Sequence, residues 1–256
     1  MIDTRAIISP QARIEEGVSI GPWCLIEGEV SIAAGTTVAA HVVIRGPTRI
    51  GRDNRIHAFS VIGGDPQDKK YGGEATRLEI GDGNTIREHC TINRGTIQGG
   101  GITRLGNDNW IMANVHVAHD CLIGDGVVMA NNTAVAGHVV IEDHATLGGF
   151  TAVHQFCRIG AYSFTAIASA VTRDVPPYVM VAGNSASAHG LNREGLKRHG
   201  FGAEAVETLK RAYKVLYRSG LTLSEALAQL EGMAASSPEV RRLADFVAAS
   251  TRGIAR

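Results

Sequence analysis

The sequence predicts a mainly β protein, a parallel β-helix of hexapeptide repeats followed by a C-terminal α-helical domain. Three observations predict it. An aliphatic residue recurs at every sixth position from Ile8 to Val171, with two interruptions and one lapse. The 256 residues include 31 glycines but only 5% aromatics, which suits a narrow repetitive core. After about residue 190 the apolar spacing changes to that of amphipathic helices.

The first stretch of the repeat is Ile8, Ile14, Ile20, Ile26, Ile32, Val38, Ile44, Ile50, Ile56 and Ile62. It resumes at Ile80, Ile86 and Ile92, then runs from Leu105 through Ile111, Val117, Ile123 and Met129 to Ile159. It lapses at Thr165 and returns at Val171. A helix needs a spacing near 3.6 and a simple strand a spacing of 2, so a period of six marks a solenoid. Three hexapeptides make one triangular coil, and successive coils stack as parallel strands about 4.8 Å apart. The predicted β-helix covers residues 1–189, with polar, Gly-rich loops extruded near 63–79 and 93–104. Loops on a rigid scaffold often carry function.

Residues 190–256 read as the helical domain. Val206, Leu209, Tyr213 and Leu216 share one helical face, and Gly220 suits a C-terminal stop. Thr222 with Glu225 forms a capping box, and Ser237-Pro238 reads as N-cap and first helical residue.

Charge and composition exclude several classes. Lys+Arg and Asp+Glu balance at 25 each, which gives no electrostatic footprint for nucleic acid. No apolar run is long enough for a transmembrane segment, and the N-terminus lacks a signal-peptide core, so a cytoplasmic location is expected. The four cysteines, Cys24, Cys90, Cys121 and Cys157, are too dispersed for a disulfide framework or a cysteine-based zinc site.

Four of the ten histidines form a constellation in NVHVAHD (114–120), AGHVV (136–140) and AVHQFC (152–157). These are His116, His119, His138 and His154; the other six read as scattered. Residues one coil apart share a column, so Asp120 should stack under His138, and Gly137 above His119 with Gln155 beyond it. Three readings stay open on spacing alone. His119 is a general base, helped by Asp120, with the Gly137 N–H as an oxyanion donor. Alternatively the histidines ligate zinc, as in a β-helical carbonic anhydrase, or they are structural turn residues.

Several ordered motifs carry a resemblance over essentially the whole chain: HVAHDC at 116–121, NNTAVAGHV at 131–139, TAVHQFCRIGAYSF at 151–164, DVPPYV at 174–179, GLNREGLKRHGF at 190–201 and QDKKYGGEATR at 67–77. With GPTRIGRDN (46–54) and STRGIAR (250–256), they make the sequence similar to the UDP-N-acetylglucosamine O-acyltransferases, which perform the first acylation of lipid A biosynthesis. The resemblance implies a left-handed β-helix, a homotrimer with active sites between subunits, and no cofactor or metal. The acyl donor carries its phosphopantetheine on acyl carrier protein. It further implies transfer of an (R)-3-hydroxyacyl group to the 3-hydroxyl of UDP-N-acetylglucosamine. His119, Asp120 and Gly137 then become catalytic, and His116, His138, His154 and Gln155 substrate-contacting. Asp68 and Lys70 match sugar-nucleotide contacts, and Asn192 and Arg198 match nucleotide or acyl-phosphopantetheine contacts. Lys197 and Arg198 offer a basic segment to the acidic carrier protein.

The sequence departs from the family pattern at Asn93 and His199, where relatives often have His and Arg. In that family one residue limits acyl length, and the resemblance implies that Ile167 takes that place, 48 residues from His119, or roughly 13 Å along the axis. An Ile there should favour a short donor near 3-hydroxydecanoyl. Related sugar N- or O-acyltransferases using acyl carrier protein or acetyl-CoA, and a non-catalytic solenoid, are the competing readings. The N-acyltransferases usually carry an extra N-terminal domain, whereas hexapeptides begin here by Ile8.

Overall fold

A computed structural model describes residues 1–256. The strands form a left-handed parallel β-helix with three sheets of nine, eight and ten strands. The first sheet runs from Ile7–Ile8 to Ala170–Val171, the second from Arg13–Ile14 to Arg158–Ile159, and the third begins at Ser19–Ile20. Only the closing hairpin of the third sheet, Val179–Ala182 with Ser187–Leu191, is antiparallel.

The six-residue column forms the core because each repeat turns one aliphatic side chain inward, over its counterpart one coil away. Ile26, Ile44, Ile62, Ile92 and Val117 are buried in successive rungs of the first sheet, in register. Each buried side chain of this size contributes about 1.5–3 kcal/mol, so the solenoid is stabilised rung by rung. The lapse at Thr165 does not break the ladder. Its strand pairs with Thr146–Leu147 in register, and its buried hydroxyl bonds that of Thr151 at 2.8 Å.

The corners demand tight turns, and many place a non-glycine residue in the left-handed region, Asp120 at φ 61° and His138 at φ 62° among them. Some of the histidines read as scattered are ordered by these corners. His41 and His89 sandwich Phe59 at centroid distances of 5.0 and 5.1 Å. The two extruded loops leave the corner between the first and second sheets. Strand Val61–Gly64 ends at the neck of the first loop, which returns at Arg77–Ile80. The second leaves after Thr91–Asn93, makes a 3₁₀ turn at Ile97–Gly99 and returns at Ile102–Leu105.

Four helices follow: α1 (Arg193–Arg198), α2 (Ala203–Arg218), α3 (Leu223–Ala234) and α4 (Pro238–Ala248). Strand Ser187–Leu191 runs across residue 189, so β structure joins solenoid to helices. Thr222 and Glu225 make the reciprocal capping box, Ser237 caps α4, and Gly220 takes φ 69° beyond α2. The apolar faces of the helices, including Leu209, Leu216, Leu230 and Leu243, share a second core with Tyr178 and Ile254. The terminal segment returns to the solenoid: Asp174 N–H donates to Gly253 O and Ala255 N–H to Asp174 O, at 3.0 and 2.8 Å.

Candidate active site

The corner that extrudes both loops also carries the histidine motifs. His119-Asp120 link His116–Val117 to Leu122–Ile123, and Gly137-His138 link Ala134–Val135 to Val140–Ile141. Gln155-Phe156 occupy the same corner one coil further on. In a regular solenoid such residues stand on an open edge. Here the loops fold over them and close a cleft of about 630 Å³, lined by Asp68, Lys70, Thr96, His119, His138 and Gln155 among others.

Asp120 organises the centre. Its side chain is fully buried. Its Oδ1 accepts the Thr96 backbone N–H at 2.7 Å, and its Oδ2 accepts the Thr96 hydroxyl at 2.6 Å. Oδ2 also lies 2.8 Å from His119 Nδ1. A carboxylate only accepts, so His119 carries its proton on Nδ1 and keeps the lone pair on Nε2. The His119 ring is 14% exposed, enough to meet a substrate hydroxyl.

Gly137 stands against that ring, as the coil arithmetic predicts. A Cβ there would lie 2.6 Å from His119 Cε1 and 2.8 Å from Nε2. Its own N–H donates to no acceptor within the chain. The arrangement offers a base and an uncommitted backbone donor side by side.

His138 Nε2 lies 3.7 Å from Asp120 Oδ2; its ring stacks on Phe156 and meets His119 edge-on, with centroids 4.4 and 5.1 Å away. Burial lowers its pKa from 6.5, against the pull of Asp120. His116 bonds Thr91 Oγ1 at 2.7 Å, and burial followed by the nearby His119 lowers its pKa as well. Both shifts favour the neutral ring. A histidine NMR titration should give both a midpoint below 6.5, and a midpoint above 6.5 for either would contradict this geometry. The sign for stability follows. The unfolded chain binds protons first as pH falls below 6.5, so these two residues destabilise the fold progressively as pH drops through their folded midpoints.

Nitrogens of His119 and His138 and a carboxylate oxygen of Asp120 lie within 4.8 Å of one another, a spacing open to a metal ion. His119 Nδ1 and Asp120 Oδ2 point at each other, however, which favours a hydrogen-bonded dyad over convergence on a common ion.

The remaining candidates divide. Asp68 accepts the N–H groups of Lys70 and Tyr71, a turn that presents both Asp68 and Lys70 to the cleft. His154 is exposed, with Nδ1 3.1 Å from Gln155 O and 3.3 Å from Arg252. Asn192 caps α1 and donates to Tyr162 O at 2.9 Å, while Arg198 is exposed at the end of α1. Ile167 is 72% exposed on the corner between the third and first sheets. None of these four lines the cleft around His119.

Sequence reasoning missed the residues that hold the loops. The buried Arg94 donates to Gly63 O at 2.6 Å, pairs with the Asp65 carboxylate and reaches the Tyr71 hydroxyl at 3.2 Å. It ties the second loop to the first. Asn93, the first departure from the family pattern, donates to Asp65 O at 2.9 Å. His199, the second, packs against His144 and Tyr162 at 4.7 and 5.1 Å. The only signal for Arg94 and Thr96 was their place at the neck of an interruption.

Residues 174–255 match the family Udp N-acetylglucosamine O-acyltransferase, Domain 2, and residues 11–46 and 102–137 match Bacterial transferase hexapeptide (six repeats). The chain is 56% identical over 255 residues to the acyl-[acyl-carrier-protein]–UDP-N-acetylglucosamine O-acyltransferase of Thiobacillus denitrificans, covering 100% of this chain and 99% of that protein. It is 54% identical to the protein of the same name from Janthinobacterium, again covering 100% and 99%. The crystal structure of UDP-N-acetylglucosamine O-acyltransferase from Moraxella catarrhalis superposes with a TM-score of 0.97 at 48% identity, covering 100% of this chain and 99% of that one.

Proposed function

The chain belongs to the UDP-N-acetylglucosamine O-acyltransferase family, and from that premise we propose that His119 is its general base. The enzyme transfers an acyl group from acyl carrier protein to UDP-N-acetylglucosamine, the first step of lipid A synthesis. In our reading the group is an (R)-3-hydroxyacyl chain and the acceptor is the glucosamine 3-hydroxyl. His119 Nε2 takes the hydroxyl proton as the oxygen attacks the thioester carbonyl. The Gly137 N–H donates a hydrogen bond to the developing oxyanion. Collapse breaks the carbon–sulfur bond, and the His119 imidazolium returns its proton to the phosphopantetheine sulfur. Asp120 holds the imidazole in one tautomer and stabilises its charged form. The observation that carries this reading is the 2.8 Å bond from His119 Nδ1 to a fully buried Asp120.

Asp68, Lys70, His116, His138 and Gln155 position the sugar nucleotide in the same subunit. We assign His154, Asn192, Arg198 and Ile167 to a cleft completed between subunits of a homotrimer, since none of them lines the cleft of one chain. No cofactor takes part in this scheme. No helix is long and apolar enough to cross a membrane. In our reading the reaction takes place in the cytoplasm.

The test is purified protein, UDP-N-acetylglucosamine and hydroxyacyl carrier proteins of ten, twelve and fourteen carbons, with products read by mass spectrometry. A mono-O-acylated sugar nucleotide is expected, made fastest from the ten-carbon donor. An exposed Ile167 side chain is free to end the acyl groove. Ile167→Gly should shift the preference to the longer donors by about tenfold, the scale of one to two methylenes in an apolar groove. A wild-type preference for fourteen carbons would sink the Ile167 assignment.

A further inference from the structure

We infer that Thr96 is a positioning residue, holding the His119–Asp120 dyad in its working geometry through a hydroxyl proton of fixed direction. The inference rests on the reading of His119 as the base. Thr96 lies at the neck of the second extruded loop, outside the hexapeptide register. It is buried, and supplies both donors that Asp120 receives besides His119: its N–H at 2.7 Å and its hydroxyl at 2.6 Å. The hydroxyl oxygen in turn accepts the Gly99 N–H at 3.3 Å. That bond leaves the hydroxyl proton directed at Asp120 Oδ2. The chain of donation runs from Gly99 N–H to Thr96 oxygen, and from Thr96 O–H to Asp120 Oδ2. That same oxygen receives His119 Nδ1–H from its other side.

The loop presses directly on the carboxylate. A Cβ on Gly99 would overlap all three atoms of the Asp120 carboxyl group, so only glycine permits the approach. Asp120 is anchored from beneath by its own N–H, which donates to Thr103 Oγ1 at 2.8 Å. The carboxylate is thus clamped between the solenoid wall and a lid of loop backbone. A buried carboxylate with fewer donors is held less firmly and no longer keeps the imidazole in line.

Thr96→Val keeps the shape and the backbone N–H but deletes the hydroxyl. The loop retains its turn, because Gly99 and Gly101 N–H also donate to Thr96 O at 3.1 and 2.8 Å. Thr96→Ser restores the hydroxyl. The titratable groups facing the dyad are His116 from the same coil and His138 from the next, with Asp68, Lys69 and Lys70 from the first loop. The acid limb of the kcat/KM profile is therefore assigned to His119 only where His119→Ala abolishes it.

The experiment measures kcat, KM for UDP-N-acetylglucosamine and the pH profile of kcat/KM for the wild type, His119→Ala, Thr96→Val and Thr96→Ser. Thr96→Val should lose roughly 10- to 100-fold in kcat, the scale of a hydrogen bond to a charged group. Its KM should change by less than about threefold, since the lost bond is to the dyad and not to substrate. Its acid limb should move to higher pH, because a carboxylate freed of the Thr96 hydroxyl holds the protonated imidazole more strongly. Thr96→Ser should return kcat to within about threefold of the wild type. A Thr96→Val enzyme with wild-type kcat overturns the inference. So does an equal loss in Val and Ser variants with the limb unmoved, which would mark a loop contact only. Full activity in His119→Ala would instead overturn the assignment of the base itself.

Discussion

His119→Ala should lower kcat/KM by about 10²- to 10⁴-fold, the range that a positioned general base supplies. Folding should survive the change. Asp120 keeps both donors from Thr96 and is not left as an unpaired buried charge. His138 still stacks on Phe156, and the six-residue core is untouched. KM for UDP-N-acetylglucosamine should move only a few-fold, because the ring acts on a proton and the sugar is held elsewhere. Steady-state rates with a carrier-protein donor, beside a thermal melt, separate these effects. A loss below tenfold with an unchanged melt would remove His119 from the base role.

Gly137→Ala should cost about 10²-fold in kcat for a different reason, with the catalytic side chains all present. Gly137 is not among the positive-φ residues, so its backbone accepts alanine. The added methyl would sit 2.6 Å from His119 Cε1 and 2.8 Å from Nε2. Real carbon contacts do not approach so closely, so the ring must move. Its other edge is fixed by the bond to Asp120, so movement breaks that bond or turns Nε2 out of line. A displacement of 1 Å is enough for a loss of this size. Kinetics and the histidine NMR shifts of the variant check it together. Unchanged His119 resonances with a wild-type rate would show that the ring has room.

Much of the scaffold was legible because a hexapeptide solenoid writes its core at one spacing. The Ile columns, the corner stacking of Asp120 beneath His138 and the closeness of Gly137 to His119 all follow from counting coils. The caps at Thr222 and Ser237 were legible because their signals are local. What counting misses is the path of an extruded loop. Thr96 reaches Asp120, and Arg94 reaches Asp65, only after the chain has left the register and returned. Spacing along one chain also cannot say what faces what across a cleft. That is why His154 turns out beside Arg252 and Ile167 on another corner, although both resemble active-site positions in the family. Hand and substrate came from the resemblance, since a period of six is the same in either hand.

The most direct test of the central claim is the pH dependence of kcat/KM between about pH 5 and 9, the range in which a histidine changes charge. It compares the wild type with His119→Ala. The account predicts a wild-type rate that falls on the acid side with unit slope, as one imidazole takes up a proton and ceases to act as a base. The residual rate of His119→Ala should lack that limb. If His119→Ala keeps the wild-type limb, the ionising base is another residue, and the dyad of His119 with Asp120 is not the catalytic centre.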